Sequence, residues 1–345
     1  MRADEILKQQ DRKREQQKQD AAELKKMRAA QLKRELVEVK AAYEELENEN
    51  RILRQVSFVE AEPIVIPMPK GGGEGELTAI AVISDNHAFE VVKKKEVNGL
   101  NEHNGKICAE RMSKLFQKIV QLVDIERHGA KIKNLILGLL GDHMTNQMHL
   151  DQVETNDGTP LEEVLFLYET ITGGINFLLQ HGQFELINAI CTDGNHGRNT
   201  IKQQHANRVK HSYEWLLFQL LARYYANEPR VKFDIADGQQ IYTELYGRTI
   251  RWTHGDAIKY GGGVGGLTIP ARKAISEWDK GIKADFTFFA HHHTSLLDKY
   301  FCSNGCSIGY GSYSQWIKAA YEPPSQSLVF VSPKYFISGY RPIYL

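Results

Sequence analysis

The chain has 345 residues, 42% of them hydrophobic and 25% charged, and its 43 Lys/Arg are balanced by 43 Asp/Glu. Such totals suit one large α/β domain with an appendage, and they exclude a binder that works through overall basic charge, although local asymmetry still counts. No apolar run reaches the roughly 18 residues that a membrane helix needs, and the opening MRADEILKQQDRKRE lacks an apolar signal core, so a cytoplasmic chain with no membrane partner is expected.

Residues 1–57 are dense in Glu, Lys, Arg, Gln and Ala, and residues 1–56 contain no Gly or Pro. A heptad register fits the second half: Leu36, Tyr43 and Asn50 fall at a positions and Leu32, Val39, Leu46 and Leu53 at d positions. That spacing predicts a coiled coil, with Asn50 setting the register of a parallel homodimer or higher homo-oligomer through residues 32–56. Residues 1–34 hold 11 Lys/Arg against 6 Asp/Glu, which reads as a solvated helix or, more sharply, as a basic arm near nucleic acid. Residues 58–76 form a linker, with three prolines and four glycines from residue 60 onward. The globular domain is expected over 77–345.

Beyond the linker, short β-prone apolar runs at 78–84, 134–141, 184–191, 248–253 and 285–290 alternate with amphipathic helical stretches at 107–127, 160–181, 208–226 and 270–280. Unbroken apolar strands are buried on both faces, so the pattern predicts a layered α/β sandwich. The cysteines Cys108, Cys191, Cys302 and Cys306 are too few and scattered for a disulfide framework. Cys302 and Cys306 find no second pair to complete a zinc site, and buried or half-buried thiols are the better reading.

The polar blocks that follow the strands carry the chemistry. They are Ser84-Asp85-Asn86-His87, Gly141-Asp142-His143, Asp193-Gly194-Asn195-His196-Gly197-Arg198, His254-Gly255-Asp256 and His291-His292-His293. Alone, each block has an ordinary explanation as a turn, a loop or a structural histidine. Together they deliver Asp, His and Asn to the carboxyl ends of five strands, the edge where α/β sheets bind ligands. Oxygen and imidazole donors suit Mn, Fe or Zn and need no thiolate.

These blocks resemble the five signature blocks of the calcineurin-like metallophosphoesterase superfamily, over residues from about 78 to 295. Within it the chain is most similar to SbcD-type DNA exonucleases and to phosphoesterases of tailed phages, the C-terminal NGCSIGYGSYSQW and SQSLVFVSPKYF adding a weaker likeness to the phage group. The resemblance implies two divalent metal ions per chain, Mn foremost, with Fe, Zn, Ni or Mg as alternatives. It implies that Asp85, His87 and His293 bind the first ion, that Asp142 bridges, and that Asn195, His254 and His291 complete the second. It makes His196 the catalytic proton donor to the leaving oxygen. The third block departs from the pattern: Gly197 stands where an acidic residue commonly orients the histidine, which leaves that task to another group such as Asp85 or Asp193. The second block lacks the Asp-Arg pair of protein Ser/Thr phosphatases, which counts against a phosphoprotein substrate.

Two features bear on the ester. No acidic residue lies between Asp193 and Glu214, whereas Arg198, Lys202, Arg208 and Lys210 do; this basic flank favours an extended polyanion, with Arg198, Lys202 and Asn146 as substrate-binding candidates, and otherwise reads as the basic start of a helix. The run Gly261-Gly262-Gly263-Val264-Gly265-Gly266 can bring backbone N–H groups of Gly262 and Gly263 to a phosphate, or serve as a flexible crossover. The resulting expectation is a Mn-dependent nuclease acting on DNA or RNA. The alternatives are a small-molecule phosphatase or cyclic-nucleotide phosphodiesterase, and a coiled-coil scaffold with a vestigial phosphatase fold. There is no Walker motif, so any ATP-driven step needs a partner ATPase, which nothing in the chain indicates.

Overall fold

The computed structural model describes residues 2–57, 75–148, 150–260, 262 and 265–345. The chain divides into two compact units, residues 1–68 and 69–345. In the first, α1 (Arg2–Ser57) runs without a break, as a stretch with neither Gly nor Pro allows. Its heptad residues Leu32, Leu36, Val39, Tyr43 and Leu46 are 56–65% exposed. The side chain of Leu53 and the linker at 58–74 lie outside the described residues.

The second unit is built on two sheets. The first contains β1 (Gly75–Ile83), β2 (Ala130–Leu139), β3 (Leu186–Cys191), β4 (Val231–Ile235), β10 (Ser325–Ser332) and β11 (Phe336–Tyr344), in the order β11-β10-β1-β2-β3-β4. Strands β1 to β4 are parallel, and β10 and β11 extend the sheet antiparallel. The second contains β5 (Gln240–Leu245), β6 (Arg248–Thr253), β7 (Phe286–Phe289), β8 (Leu296–Leu297) and β9 (Phe301–Ser303), in the order β5-β6-β7-β9-β8. The helices are α2 (Gly105–Arg127), α3 (Leu150–Thr155), α4 (Pro160–His181), α5 (Tyr213–Tyr224), α6 (Thr268–Trp278) and the short α7 (Ser312–Trp316).

Strand alternation explains the layers. Ala79, Ala81 and Ile83 of β1 face α2 and α4, packing with Met112, Leu115 and Ile171. Ile80 and Val82 face the second sheet, packing with Trp252, Phe286 and Phe288. On the far side, α6 covers the second sheet through Ala271 and Ile275 against Phe289 and Phe301. The result is a layered α/β sandwich. A Cβ on Gly138, inside β2, would lie 3.0 Å from the Trp252 ring, so this glycine lets the largest side chain of the inter-sheet core seat against the strand. Burying such a side chain contributes about 1.5–3 kcal/mol.

The five apolar runs are shared between the sheets, β6 and β7 belonging to the second. One expectation changes. The helix expected at 208–226 is split: Arg208–His211 is a 3₁₀ turn, and α5 starts after Ser212, whose side chain caps it by accepting from Trp215 N. Strands β4, β5, β10 and β11 lie outside the five apolar runs.

Candidate active site

The five polar blocks leave the carboxyl edges of β1, β2 and β3 in one sheet and of β6 and β7 in the other. The first two loops extend each other's ladder: Asp85 N donates to Gly141 O (3.0 Å), His87 N to Asp142 O (3.1 Å) and Ala88 N to His143 O (3.0 Å). This close pairing bends the chain sharply. Asp85, His87, Asp142, His291 and His293 all take left-handed backbone angles, with φ between 42° and 70°. Each such non-glycine residue costs on the order of 1 kcal/mol or more and persists only where its surroundings over-determine it. Side chains would not fit at the tightest crossing: a Cβ on Gly141 would overlap the Gly194 amide, and one on Gly194 would overlap the Asp142 carboxylate.

The structure brings the seven expected metal ligands together. Ligand atoms of Asp85, His87 and His293 lie within 4.8 Å of one another, as do those of Asp142, His254 and His291. A third group, His87, Asp142 and His196, links the two. In the second cluster His254 Nε2 is 3.0 Å from Asp142 Oδ2, 3.2 Å from Asn195 Oδ1 and 3.3 Å from His291 Nδ1. The other nitrogen of His254 lies 2.7 Å from Leu140 O; a carbonyl only accepts, so in the neutral ring Nδ1 holds the proton and Nε2 presents a lone pair. In the first cluster Asp85 Oδ1 sits 3.3 Å from His293 Nε2. Both nitrogens of the buried His87 and Asp85 Oδ1 have no hydrogen-bond partner. Buried acceptor atoms that converge without enough donors to satisfy them are what a cation satisfies, and these clusters can hold metal.

Electrostatics gives the same picture. Burial alone would lower His254, but Asp142 and Asp85 outweigh it and lift the ring to about 10. Burial would raise Asp85, but His293 and His254 outweigh it and hold the carboxyl at about 2. Burial and neighbouring His254 push His291 down to about 4. Without a cation, protons on histidines must therefore neutralise the two carboxylates.

Groups around the clusters hold them in place. Glu214, on α5, is fully buried and accepts from His143 N and Gly194 N, both at 2.6 Å. It ties the Asp142 loop to the Asn195 loop. Glu163, on α4, accepts from Phe89 N, Thr145 N and Asn146 N. Ser84 donates to Asp85 Oδ2 (2.6 Å) and accepts from Asn304, while Gln326 bonds the Ser84 backbone at both N and O. His103 Nε2 lies 3.1 Å from His87 O, and its Nδ1 lies 3.1 Å from Arg111, which supports the left-handed turn at His87. None of these residues stood out in the sequence. Glu214 marked only the end of a basic interval, and a polar Gln inside the apolar SQSLVFVS was the one signal available.

His196 lies against the first cluster, its ring 4.7 Å from that of His87. Its Nδ1 meets Thr145 O at 2.9 Å, and its backbone N donates to Asp142 Oδ1 at 2.7 Å. A backbone carbonyl orients it, rather than Asp85 or Asp193. The expected substrate residues are spread more widely. Asn146 is buried and spends its amide on His196 O (2.8 Å) and Arg198 O (2.7 Å). Arg198 is half-buried and donates to Asn195 O at 2.6 Å. Lys202 is exposed. Gly262 has φ 86° with open space around it, and Gly263 lies outside the described residues. Arg208, counted in the basic flank, is buried between Asp193 (3.0 Å) and Asp256 (2.7 Å); it joins the loop after β3 to the loop after β6 and adds no free charge. The four cysteines are free and buried, and Cys306, with Asp85, helps raise His293 against the effect of burial.

Several solved structures align with the chain at low similarity. A hypothetical protein, PH1004, from Pyrococcus horikoshii OT3 aligns at 11% identity over 78% of this chain and 88% of that one, with a TM-score of 0.37. A Vps29 double mutant from Entamoeba histolytica aligns at 8% identity over 77% and 98%, with a TM-score of 0.29. A Thermus thermophilus sulfate thiohydrolase, SoxB, aligns at 9% identity over 81% and 58%, with a TM-score of 0.29. No family model and no curated protein matches the sequence. Likenesses this distant carry no argument about chemistry, which rests on the residues themselves.

Proposed function

We propose that this chain is a two-metal phosphodiesterase that cleaves a polynucleotide, with Mn as the working metal. The observation that carries the metal centre is the meeting of Asp142 Oδ2, Asn195 Oδ1 and His291 Nδ1 on Nε2 of His254, all within 3.3 Å. Asp85, His87 and His293 would hold the first ion and Asn195, His254 and His291 the second, with Asp142 shared between them. When bound, two divalent ions supply an acidified water near neutral pH and neutralise charge on phosphoryl oxygens. The chain's own residues do the rest. Asp142 is anchored by the His196 amide, so the shared carboxylate and the proton donor move as one unit. Thr145 O receives the Nδ1 proton of His196, which leaves Nε2 to carry the proton that the departing ester oxygen takes. Glu214 and Glu163 fix the loops and exclude water beneath them.

A polynucleotide is favoured by the likeness of the five blocks to SbcD-type exonucleases and by Arg198 and Lys202, which follow His196 directly. The exposed seam of α1 supports a parallel coiled-coil dimer, which would set two sites on one strand. The test is a panel of labelled DNA and RNA, single- and double-stranded, with Mn²⁺, Mg²⁺, Zn²⁺ and Ni²⁺. Metal-dependent cleavage of a polynucleotide is expected. Hydrolysis of p-nitrophenyl phosphate or a small nucleotide alone would refute the nuclease and leave a small-molecule phosphatase. Removing residues 1–56 should lower the mass seen by light scattering; an unchanged mass rules out the coiled coil.

A further inference from the structure

A turn beside the site presents aromatic side chains to solvent. Between Gly311 and Tyr321 the surface carries Tyr313, Trp316, Ile317 and Tyr321, exposed by 71%, 81%, 51% and 50%. Tyr313 and Trp316 are three apart on α7 and share one face. Large apolar groups clustered this openly mark a binding surface. Tyr321 helps hold the turn from beneath: it meets Tyr310 at 5.9 Å, and Tyr310 packs with Val92, Val97 and Ile308. Tyr313 and Trp316 are left open to solvent.

The turn is rooted in the active site at both ends. Ser307 N donates to Asp85 O at 3.1 Å, and Arg111 donates to the carbonyls of Ser307 (2.8 Å) and Ile308 (2.9 Å). At the other end Glu322 accepts from Ser295 N at 2.9 Å, two residues beyond His293. A Cβ on Gly311, where α7 begins, would lie 3.9 Å from Glu90 Oε1, and the other oxygen of Glu90 is 3.9 Å from His87 Nδ1. The turn that carries the aromatic face is thus tied to the loops of Asp85, His87 and His293.

Cations stand on its rim, though fewer than the sequence shows. Helix α7 packs against the 3₁₀ turn Lys94–Val97, where Lys93 pairs with Glu96 (3.9 Å) and Lys94 with Glu102 (3.1 Å). The lysines left to a ligand are Lys95 on that turn and Lys318 at the end of its own, and no Asp or Glu occurs from Lys299 to Tyr321. Aromatic faces interleaved with lysines, next to a phosphate-handling centre, match a strand whose bases stack while its backbone is neutralised. A duplex hides its base faces, and a small phosphate ester offers none. We propose that Tyr313 and Trp316 form a stacking platform for the unpaired bases of single-stranded DNA or RNA at the active site, an inference that rests on the polynucleotide reading above.

The test uses the full-length, Mn²⁺-loaded chain and labelled phosphorothioate oligothymidylate and oligouridylate, with a base-free phosphodiester oligomer of the same length for comparison, by fluorescence anisotropy. Trp316→Ala with Tyr313→Ala should weaken binding of the base-bearing oligomers by roughly 5- to 150-fold, the equivalent of one stacked base. Trp316→Phe should restore most of it, and Tyr335→Ala, an exposed tyrosine at the β10–β11 turn, should change nothing. The DNA and RNA arms show which sugar is accepted. The proposal is overturned if the double variant binds the oligomers like the unaltered chain, as it would if the patch served a protein partner, or if it loses the base-free oligomer equally. Cleavage by the unaltered chain separates the two readings: cutting with no effect of the variants sinks the platform alone, while weakened binding without any cutting sinks the nuclease alone.

Discussion

Replacing Glu214 by Ala should lower both stability and metal affinity, although Glu214 is not among the metal-binding groups. Its two oxygens each accept a 2.6 Å bond, from His143 N and Gly194 N, in a place without water access. Removing it strands two buried amides at about 1–3 kcal/mol each, or about 2–6 kcal/mol together. Burial and the nearby Asp142 push the carboxyl up to about 8, so at pH 7 the group is largely neutral and no relief of a buried charge offsets the loss. For a domain of this size roughly 2 °C accompanies each kcal/mol, so scanning calorimetry should find the melting temperature lowered by roughly 4–12 °C. Glu214→Gln keeps the volume and one acceptor and should fall between. Because the stranded amides flank Asp142 and Asn195, Mn²⁺ affinity by titration calorimetry should drop about 10- to 100-fold. A Glu214→Ala chain that melts and binds Mn²⁺ like the unaltered one would refute the idea that this carboxyl ties the two loops.

Further outcomes follow from the same contacts. His196→Ala should reduce turnover by about 10²- to 10⁴-fold while metal analysis still finds the same ion content; equal losses of both would make His196 a ligand instead of a proton donor. Arg208→Met leaves the buried Asp193 and Asp256 unpaired and should cost about 3–5 kcal/mol in urea unfolding, so a midpoint within error of the parent contradicts the clamp between the two sheets. The pH response of the metal-free chain has a definite sign. His254 is raised from 6.5 to about 10 by carboxylates that outweigh burial, so the folded state keeps a proton that the unfolded state gives up. Its stabilising contribution is complete below pH 6.5 and fades as pH climbs to about 10. Thermal melts of EDTA-treated protein should therefore fall across that window, and added Mn²⁺, which takes the proton's place, should flatten the decline; a metal-free chain whose stability rises there would contradict it.

The five polar blocks that hold Asp85, His87, Asp142, Asn195, His254, His291 and His293 were legible because each follows a short apolar run, which ends where the buried sheet meets its open edge; the choice of these seven within the blocks came from the likeness to a known family. The unbroken helix over 2–57 was equally legible, since helix formation there depends on local composition. What could not be read is everything decided by contacts distant in the chain. Two sheets rather than one supply the loops, because strand pairing depends on which faces bury together. Glu214 and Glu163 look like ordinary helix acids until folding presses them beneath the loops after β1, β2 and β3. Arg208 looks like free charge until Asp193 and Asp256 close on it from either side. His196 takes its orientation from the Thr145 carbonyl, a group that every residue possesses and no sequence can single out. Local order dictates which side chains stand at strand ends, whereas burial, which assigns each its partner and its charge, exists only once the layers have packed.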